Sequence, residues 1–271
     1  MRKRILTTLV GLPLLILIVN IGDWPLIVTL MLLSLIGLNE MYVAFSNENK
    51  AIHLIGYIFT VVYYASTAII GVSSWLLIEL TLFVIVAQAF LVLFYKHTPL
   101  YDNIVTIYGF FCISFLLSFI YLVREHELGR YYVWLIFTSS FGCDTFAYLI
   151  GTRFGKHKLT GSPSPKKTVE GIVGGVLGAA LVGWLYGLFI SGVLGVKDIS
   201  IITNATIVSL CGAMFSIIGD MSASAFKRYT KIKDFGKVFP GHGGVLDRFD
   251  SVIMTAPIVY LVMTAVIRLN G

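Results

Sequence analysis

Nine stretches of this chain, 5–21, 24–45, 51–71, 74–95, 103–123, 131–150, 171–191, 199–225 and 251–268, are almost free of charge. An α-helix needs about 20 such residues to cross the hydrocarbon of a bilayer. It also satisfies its own backbone polar groups, which lipid cannot do. Only 13% of the residues are charged and 57% are hydrophobic, against about 25% and 45–50% in soluble domains. A single water-soluble core is excluded. The expected fold is all-α: a polytopic integral membrane helical bundle of about nine transmembrane helices, forming one domain over 1–271. Met1-Arg-Lys-Arg4 before an apolar run looks like the start of a signal peptide, but it lacks a small-residue cleavage site and further spans follow. It reads as the first span. Cys112, Cys143 and Cys211 sit in apolar stretches without paired spacing, so neither a disulfide framework nor a zinc site is expected.

Two connections are long, 151–170 and 226–250, and they hold most of the polar chemistry. The first carries Arg153, Lys156, Lys158, Lys166 and Lys167 against Glu170. The second carries Lys227, Arg228, Lys231, Lys233, Lys237 and Arg248 against Asp234, Asp247 and Asp250. Basic loops stay on the cytoplasmic side. Two spans separate these loops, so both emerge on one face. Counting back six spans puts Arg2, Lys3 and Arg4 there too, and leaves the C-terminus, with Arg268, outside. The expected location is the cell (inner) membrane, with a cytoplasmic N-terminus and site. The net charge of +6 follows from these loops, and nucleic acid is not an expected partner.

A charged residue inside a span costs about 2.5–3.5 kcal/mol even on the lenient insertion scale and needs a reason. Asp144 lies in the sixth span and Asp220 in the eighth, each about 9 Å before its basic loop at about 1.5 Å per residue. Glu40 holds a comparable place in the second. Three acids at one depth suggest a polar cavity open to the cytoplasm. The bland alternative is that each acid pairs with a basic loop residue and locks the bundle; for Glu40 both readings stand open. Small and hydroxyl residues surround Asp144 and Asp220, room for a hard cation such as Mg²⁺, which takes one or two carboxylates plus substrate phosphates. Glu79 reads as a solvated helix-end residue. In the seventh span Gly171, Gly175, Ala179, Gly183, Gly187 and Ser191 recur every fourth residue, a stripe that lets membrane helices approach closely.

In the first loop Ser164, Lys166, Lys167 and Thr168 stand just before a helix, and lysines, hydroxyls and a helix N-terminus together favour phosphate. Basic juxtamembrane loops also touch anionic membrane lipids without further function. In the second loop Gly241, Gly243 and Gly244 around His242 permit a tight turn that side chains would obstruct. Asp247 and Asp250, three apart at a helix start, can face one cavity as metal ligands or cap the helix. Arg248, Lys227 and Arg228 add charge directed at phosphate.

The run from Ser224 to Asp250 carries Lys227-Arg228, Lys233-Asp234 and Pro240-Gly-His-Gly-Gly-Val-Leu-Asp-Arg-Phe-Asp250. It resembles the signature of the phosphatidate cytidylyltransferase (CDP-diglyceride synthetase) family. Asp144 with Ala147-Tyr148, Gly155-Lys156-His157-Lys158, Ser164-Pro-Lys-Lys-Thr168 and Gly219-Asp220 are similar to that family too. The resemblance covers the C-terminal half from about Phe141 on, so 131–271 is read as the catalytic portion; over 1–125 it is one of hydropathy only. It implies CMP transfer from CTP to phosphatidic acid, giving CDP-diacylglycerol and pyrophosphate. It further implies Asp220 and Asp247 as leading metal ligands, Asp144 and Asp250 next, and Mg²⁺, in a pair of metal ions, as cofactor. Lys166, Lys167, Lys227 and Arg248 would bind triphosphate or lipid phosphate, joined by Ser164, Thr168, Arg228, His242, Gly243 and Gly244. His242 is equally readable as a structural residue of the turn. Many members have Glu where this chain has Ala223, so another acid, Glu40 or Asp250, would serve here. Other CTP-using lipid enzymes and, further off, a secondary transporter share some of these features; no inverted repeat supports the latter. A homodimer is expected only from the frequency of such assemblies.

Overall fold

The computed structural model describes residues 2–45, 50–71, 74–195 and 199–270, and of 2–8, 50 and 269–270 only the backbone. The described chain is helical throughout, without strands: α1 Arg2–Ile21, α2 Asp23–Phe45, α3 Lys50–Ile70, α4 Ser74–Leu93, α5 Leu100–Glu125, α6 Gly129–Phe154, α7 Val169–Leu194, α8 Ile199–Tyr229 and α9 Leu246–Asn270. The eight from α2 to α9 are long and apolar enough to cross a membrane, so the protein is integral to one. Of α1, the fully described part, Leu9–Ile21, is an apolar helix. The side chains of Arg2, Lys3 and Arg4, which entered the sidedness argument, lie outside the described residues.

Helix ends differ from those expected. α8 continues to Tyr229 and α9 begins at Leu246. Lys227 and Arg228 therefore belong to the last turn of α8, and Asp247, Arg248 and Asp250 to the start of α9. Basic groups at a helix C-terminus and acids at an N-terminus complement the helix dipole, so these ends are helical although they are not apolar. Asp144 lies ten residues before Phe154 and Asp220 nine before Tyr229. At about 1.5 Å per residue these acids sit roughly 15 and 13 Å from the helix ends, farther than the ends of the apolar runs suggested.

The fold divides into two compact units, Met1–Leu122 with Ile232–Arg248, and Val123–Lys231 with Phe249–Gly271. The division passes through the first turn of α9, and the second long loop is shared between the units.

In the first unit α2, α3 and α5 are joined by rings and hydroxyls. Ser34 Oγ and Tyr64 Oη lie 2.8 Å apart, Thr60 Oγ1 and Ser114 Oγ 2.8 Å, and Tyr63 Oη and Ser118 Oγ 2.9 Å. Tyr64 also donates to the Ser114 carbonyl at 3.0 Å. That carbonyl lies in a π-helical turn, Phe110–Phe115, where the backbone is widened by one residue. His53 stacks on Tyr42 with centroids 4.2 Å apart, and its Nδ1 is 3.0 Å from Thr106 Oγ1. Phe83 of α4 packs on Phe110 at 4.3 Å. Glu79, expected to be a solvated helix-end residue, is half-buried and accepts a hydrogen bond from Ser66 of α3 at 2.7 Å.

The second unit is built on close backbone approach. A Cβ on Gly171 would lie 2.9 Å from the Ala147 carbonyl, and one on Gly175 2.8 Å from that of Cys143, both on α6. Farther along, a Cβ on Gly183 would meet the Ala205 carbonyl of α8 at 2.9 Å, and one on Gly187 the Ile202 Cα at 2.8 Å. The small-residue stripe thus faces α6 at one end and α8 at the other. Short hydroxyls bind across the seams: Ser209 donates to the Ala179 carbonyl at 2.8 Å, Ser139 to Ser209 at 3.1 Å and Ser140 to Thr255 of α9 at 3.0 Å.

Candidate active site

Glycine at position 219 decides where the acids meet in the second unit. A Cβ there would strike the backbone of Asp250 and Ser251, so α8 and α9 touch through bare backbone one residue before Asp220. Asp220 is thereby brought into electrostatic range of Asp250, it acts on Asp144 of α6 as well, and Asp144 acts on Asp250. Three carboxylates from three helices share one neighbourhood. Two cations answer them: Lys167 Nζ stands 2.5 Å from Asp220 Oδ2, and Lys227 acts on Asp250. Asp220 and Lys167 are both largely covered, at 30% and 23% side-chain exposure, so the pair is held rather than solvated. Ala223, where a Glu is frequent in the family it resembles, is buried in α8.

Lys167 reaches this cluster because its loop is a folded clasp. Glu170, in the first turn of α7, accepts from the backbone N–H of Lys156 and His157 at 3.1 and 3.2 Å, and lies 2.6 Å from His157 Nδ1. The Val169 N–H bonds the His157 carbonyl at 2.9 Å and that of Leu159 the Lys167 carbonyl at 3.0 Å. Thr168 is buried and caps α7, its hydroxyl accepting from the Gly171 N–H at 3.1 Å. The Ser164 carbonyl accepts the Lys167 N–H at 3.1 Å, and Arg228 Nε donates to the Pro163 carbonyl. The loop is thus tied to the last turn of α8 and the first of α7, with Lys166 left exposed. The sequence analysis named His157 and Glu170 but not their contact with each other, which ties the loop together. An acid in a helix's first turn, 13 residues from a histidine, gives no local periodicity that would mark it.

In the first unit the glycine-rich turn has a different anatomy. Gly241 and Gly243 adopt φ of 81° and 91°, the left-handed region open to glycine. The Phe239 N–H bonds the Gly243 carbonyl at 2.9 Å, and the His242 N–H the Phe239 carbonyl at 2.8 Å. Arg248 Nε donates to the His242 carbonyl at 2.8 Å. Asp247 Oδ2 accepts the N–H of Gly244 at 2.9 Å and that of Phe235 at 2.8 Å. Glu40, 4% exposed, accepts the N–H of Val245 and Leu246, each at 2.9 Å. Glu40 is thus held by backbone amides of the glycine-rich loop, and among the described residues no basic side chain forms an ion pair with it. The N–H groups of Gly244, Val245 and Leu246 are thus all committed to the protein's own carboxylates.

Among the described residues no three His, Cys, Asp or Glu side chains gather closely enough to ligate one metal ion alone. Asp144, Asp220 and Asp250 nevertheless suit a hard cation. They offer oxygen only, and Mg²⁺ is usually held by one or two carboxylates with the rest of its shell from water and phosphate. The ammonium of Lys167 against Asp220 shows that the place attracts positive charge.

The profile of the Cytidylyltransferase family matches residues 2–266. The phosphatidate cytidylyltransferase of Staphylococcus epidermidis is 30% identical over 97% of this chain and 99% of its own. Those of Thermotoga maritima and Aquifex aeolicus are each 38% identical, over 55% and 58% of both chains, so these alignments span little more than half of either relative.

Proposed function

This chain belongs to the cytidylyltransferase family, and from that premise we propose that it converts CTP and phosphatidic acid into CDP-diacylglycerol and pyrophosphate. A phosphate oxygen of the lipid attacks the α-phosphorus of CTP. The new P–O bond forms as the bond to the β-phosphate's bridging oxygen breaks, and pyrophosphate leaves with that electron pair. The lipid phosphate is ionised near neutral pH, so no strong general base is called for. Positioning and charge neutralisation are the protein's work, as in phosphoryl transfer generally.

The reading rests above all on three acids from α6, α8 and α9 placed beside a lysine delivered by a clasped basic loop. Lys167 and Lys227 are within reach of an anionic reactant and keep the acids' charge balanced. Lys166 and Arg228 supply further positive charge for triphosphate or lipid phosphate. Asp144, Asp220 and Asp250 would hold Mg²⁺, which when bound neutralises phosphate charge and orients the reacting oxygens. We place both basic loops on the cytoplasmic face, where CTP is found. The test is conversion of phosphatidic acid by purified protein with CTP and Mg²⁺, beside Asp220→Asn and Lys167→Ala. Product from the parent and its collapse in both folded variants is the expected result. Undiminished turnover in Asp220→Asn would overturn the site, and no product from the parent would overturn the reaction.

A further inference from the structure

Two glycines of the second long loop owe their identity to one side chain of α2. A Cβ on Gly236 would collide with the Glu40 carboxyl group and with nothing nearer, and a Cβ on Gly244 would do the same. Neither glycine has the left-handed φ of Gly241 and Gly243, so backbone conformation does not require glycine at 236 or 244; the space filled by Glu40 does. Glu40 is also buried, and it accepts the backbone N–H groups of Val245 and Leu246 at the start of α9. A glycine-rich turn leading into a helix N-terminus is the usual seat for an external phosphate. Here an internal carboxylate already fills it.

We propose that Glu40 is a positioning residue: as the resident anion of this seat, it sets the glycine-rich loop and the first turn of α9, and through them His242, Asp247 and Arg248. A phosphate is therefore not bound by the Val245 and Leu246 amides. The Asp247 carboxylate is fixed in the same stroke, because it bonds Gly244, which lies against Glu40.

The kinetic arm of the test rests on the cytidylyltransferase reading, and the stability arm does not. For stability, Gly236→Ala and Gly244→Ala are melted in detergent, alone and combined with Glu40→Ala. Each glycine change lowers the melting temperature in the parent and has little further effect once the carboxylate is gone, because the added methyl then finds room. Additive losses in the double variants would overturn the clamp, since contacting residues are non-additive and independent ones are not. For kinetics, Glu40→Gln keeps the shape but presents an amide N–H₂ to a backbone donor. Its kcat per folded molecule falls about 10²-fold, the scale of a 1 Å misplacement, with KM for CTP little changed, and Glu40→Asp recovers part of that loss. A Glu40 that only stabilised the fold would leave kcat of the folded fraction at the parent value, which would overturn the positioning role. If the parent makes no CDP-diacylglycerol, the proposed reaction fails while the melting cycle still decides the clamp.

Discussion

In the first unit helices meet through large rings and hydroxyls, Tyr63, Tyr64, Phe83 and Phe110 with Ser34, Thr60, Ser114 and Ser118. In the second they meet through almost nothing: Gly171, Gly175, Gly183 and Gly187 bring backbones together, with Ser139, Ser140 and Ser209 as short ties. Lipid gives helices no hydrophobic reason to associate, so packing and interhelical hydrogen bonds must do it. Each unit leans on one of these. The glycine solution leaves no slack along the seams, which suits helices that have to hold three like charges at fixed places. The ring-and-hydroxyl solution suits a unit whose buried acid is neutralised by backbone amides. The two units should therefore fail under opposite substitutions.

The largest separation comes from chemistry. Asp220→Asn in the second unit should cut turnover about 10²–10³-fold, the usual scale for removing one charged or donor group aimed at the reacting atoms, whereas Tyr63→Phe in the first should leave turnover within a factor of about two. An initial-rate assay of CDP-diacylglycerol formation on protein of matched folded content decides it; equal losses would erase the functional side of the contrast. Next is overpacking. Gly183→Ala presses a methyl against Ser209 and the Ala205 carbonyl and should cost about 1–3 kcal/mol, visible as a lower melting temperature. Removing a hydroxyl works in the other direction: Tyr63→Phe should cost about 1 kcal/mol, leaving Ser118 without that partner. The smallest effect is an internal control on α7 itself. A Cβ on Gly192 meets nothing within 4 Å, so Gly192→Ala should be neutral or stabilise by roughly 0.5–1 kcal/mol through helix propensity. If it destabilised as much as Gly183→Ala, glycine seams would not be what distinguishes the second unit.

Much of the second unit was legible in the sequence because its packing is periodic along a single helix. The every-fourth-residue stripe of α7 predicts close approach, and the structure supplies the two partners. The acids Asp144 and Asp220 were conspicuous because charge in a span is costly. Their distance from the helix ends was not, since α6 and α8 run on past their apolar cores. The helices α2 to α5 of the first unit were legible only as hydropathy. Thr60, Tyr63, Tyr64 and Thr67 fall at i, i+3, i+4 and i+7 on α3, a polar stripe that could have announced the hydroxyl network, but their partners on α2 and α5 are 30 to 55 residues away in sequence. The role of Glu40 was out of reach for the same reason. Its amides are 205 and 206 positions downstream, and only tertiary structure shows that Gly236 and Gly244 answer to it.

That separation has a consequence for biosynthesis. α2 leaves the ribosome well before α9 does. At about 5–20 residues per second, the Glu40 carboxylate waits on the order of 10–40 s for the amides that will receive it. Throughout that interval the nascent protein holds an acid without those partners, a mark by which unfinished chains differ from finished ones. A chain that stops before Val245 never loses the mark. Closure of the glycine-rich loop on α2 therefore waits for amides made 205 and 206 positions later, which ties the packing of an early helix to a much later stretch of the same chain.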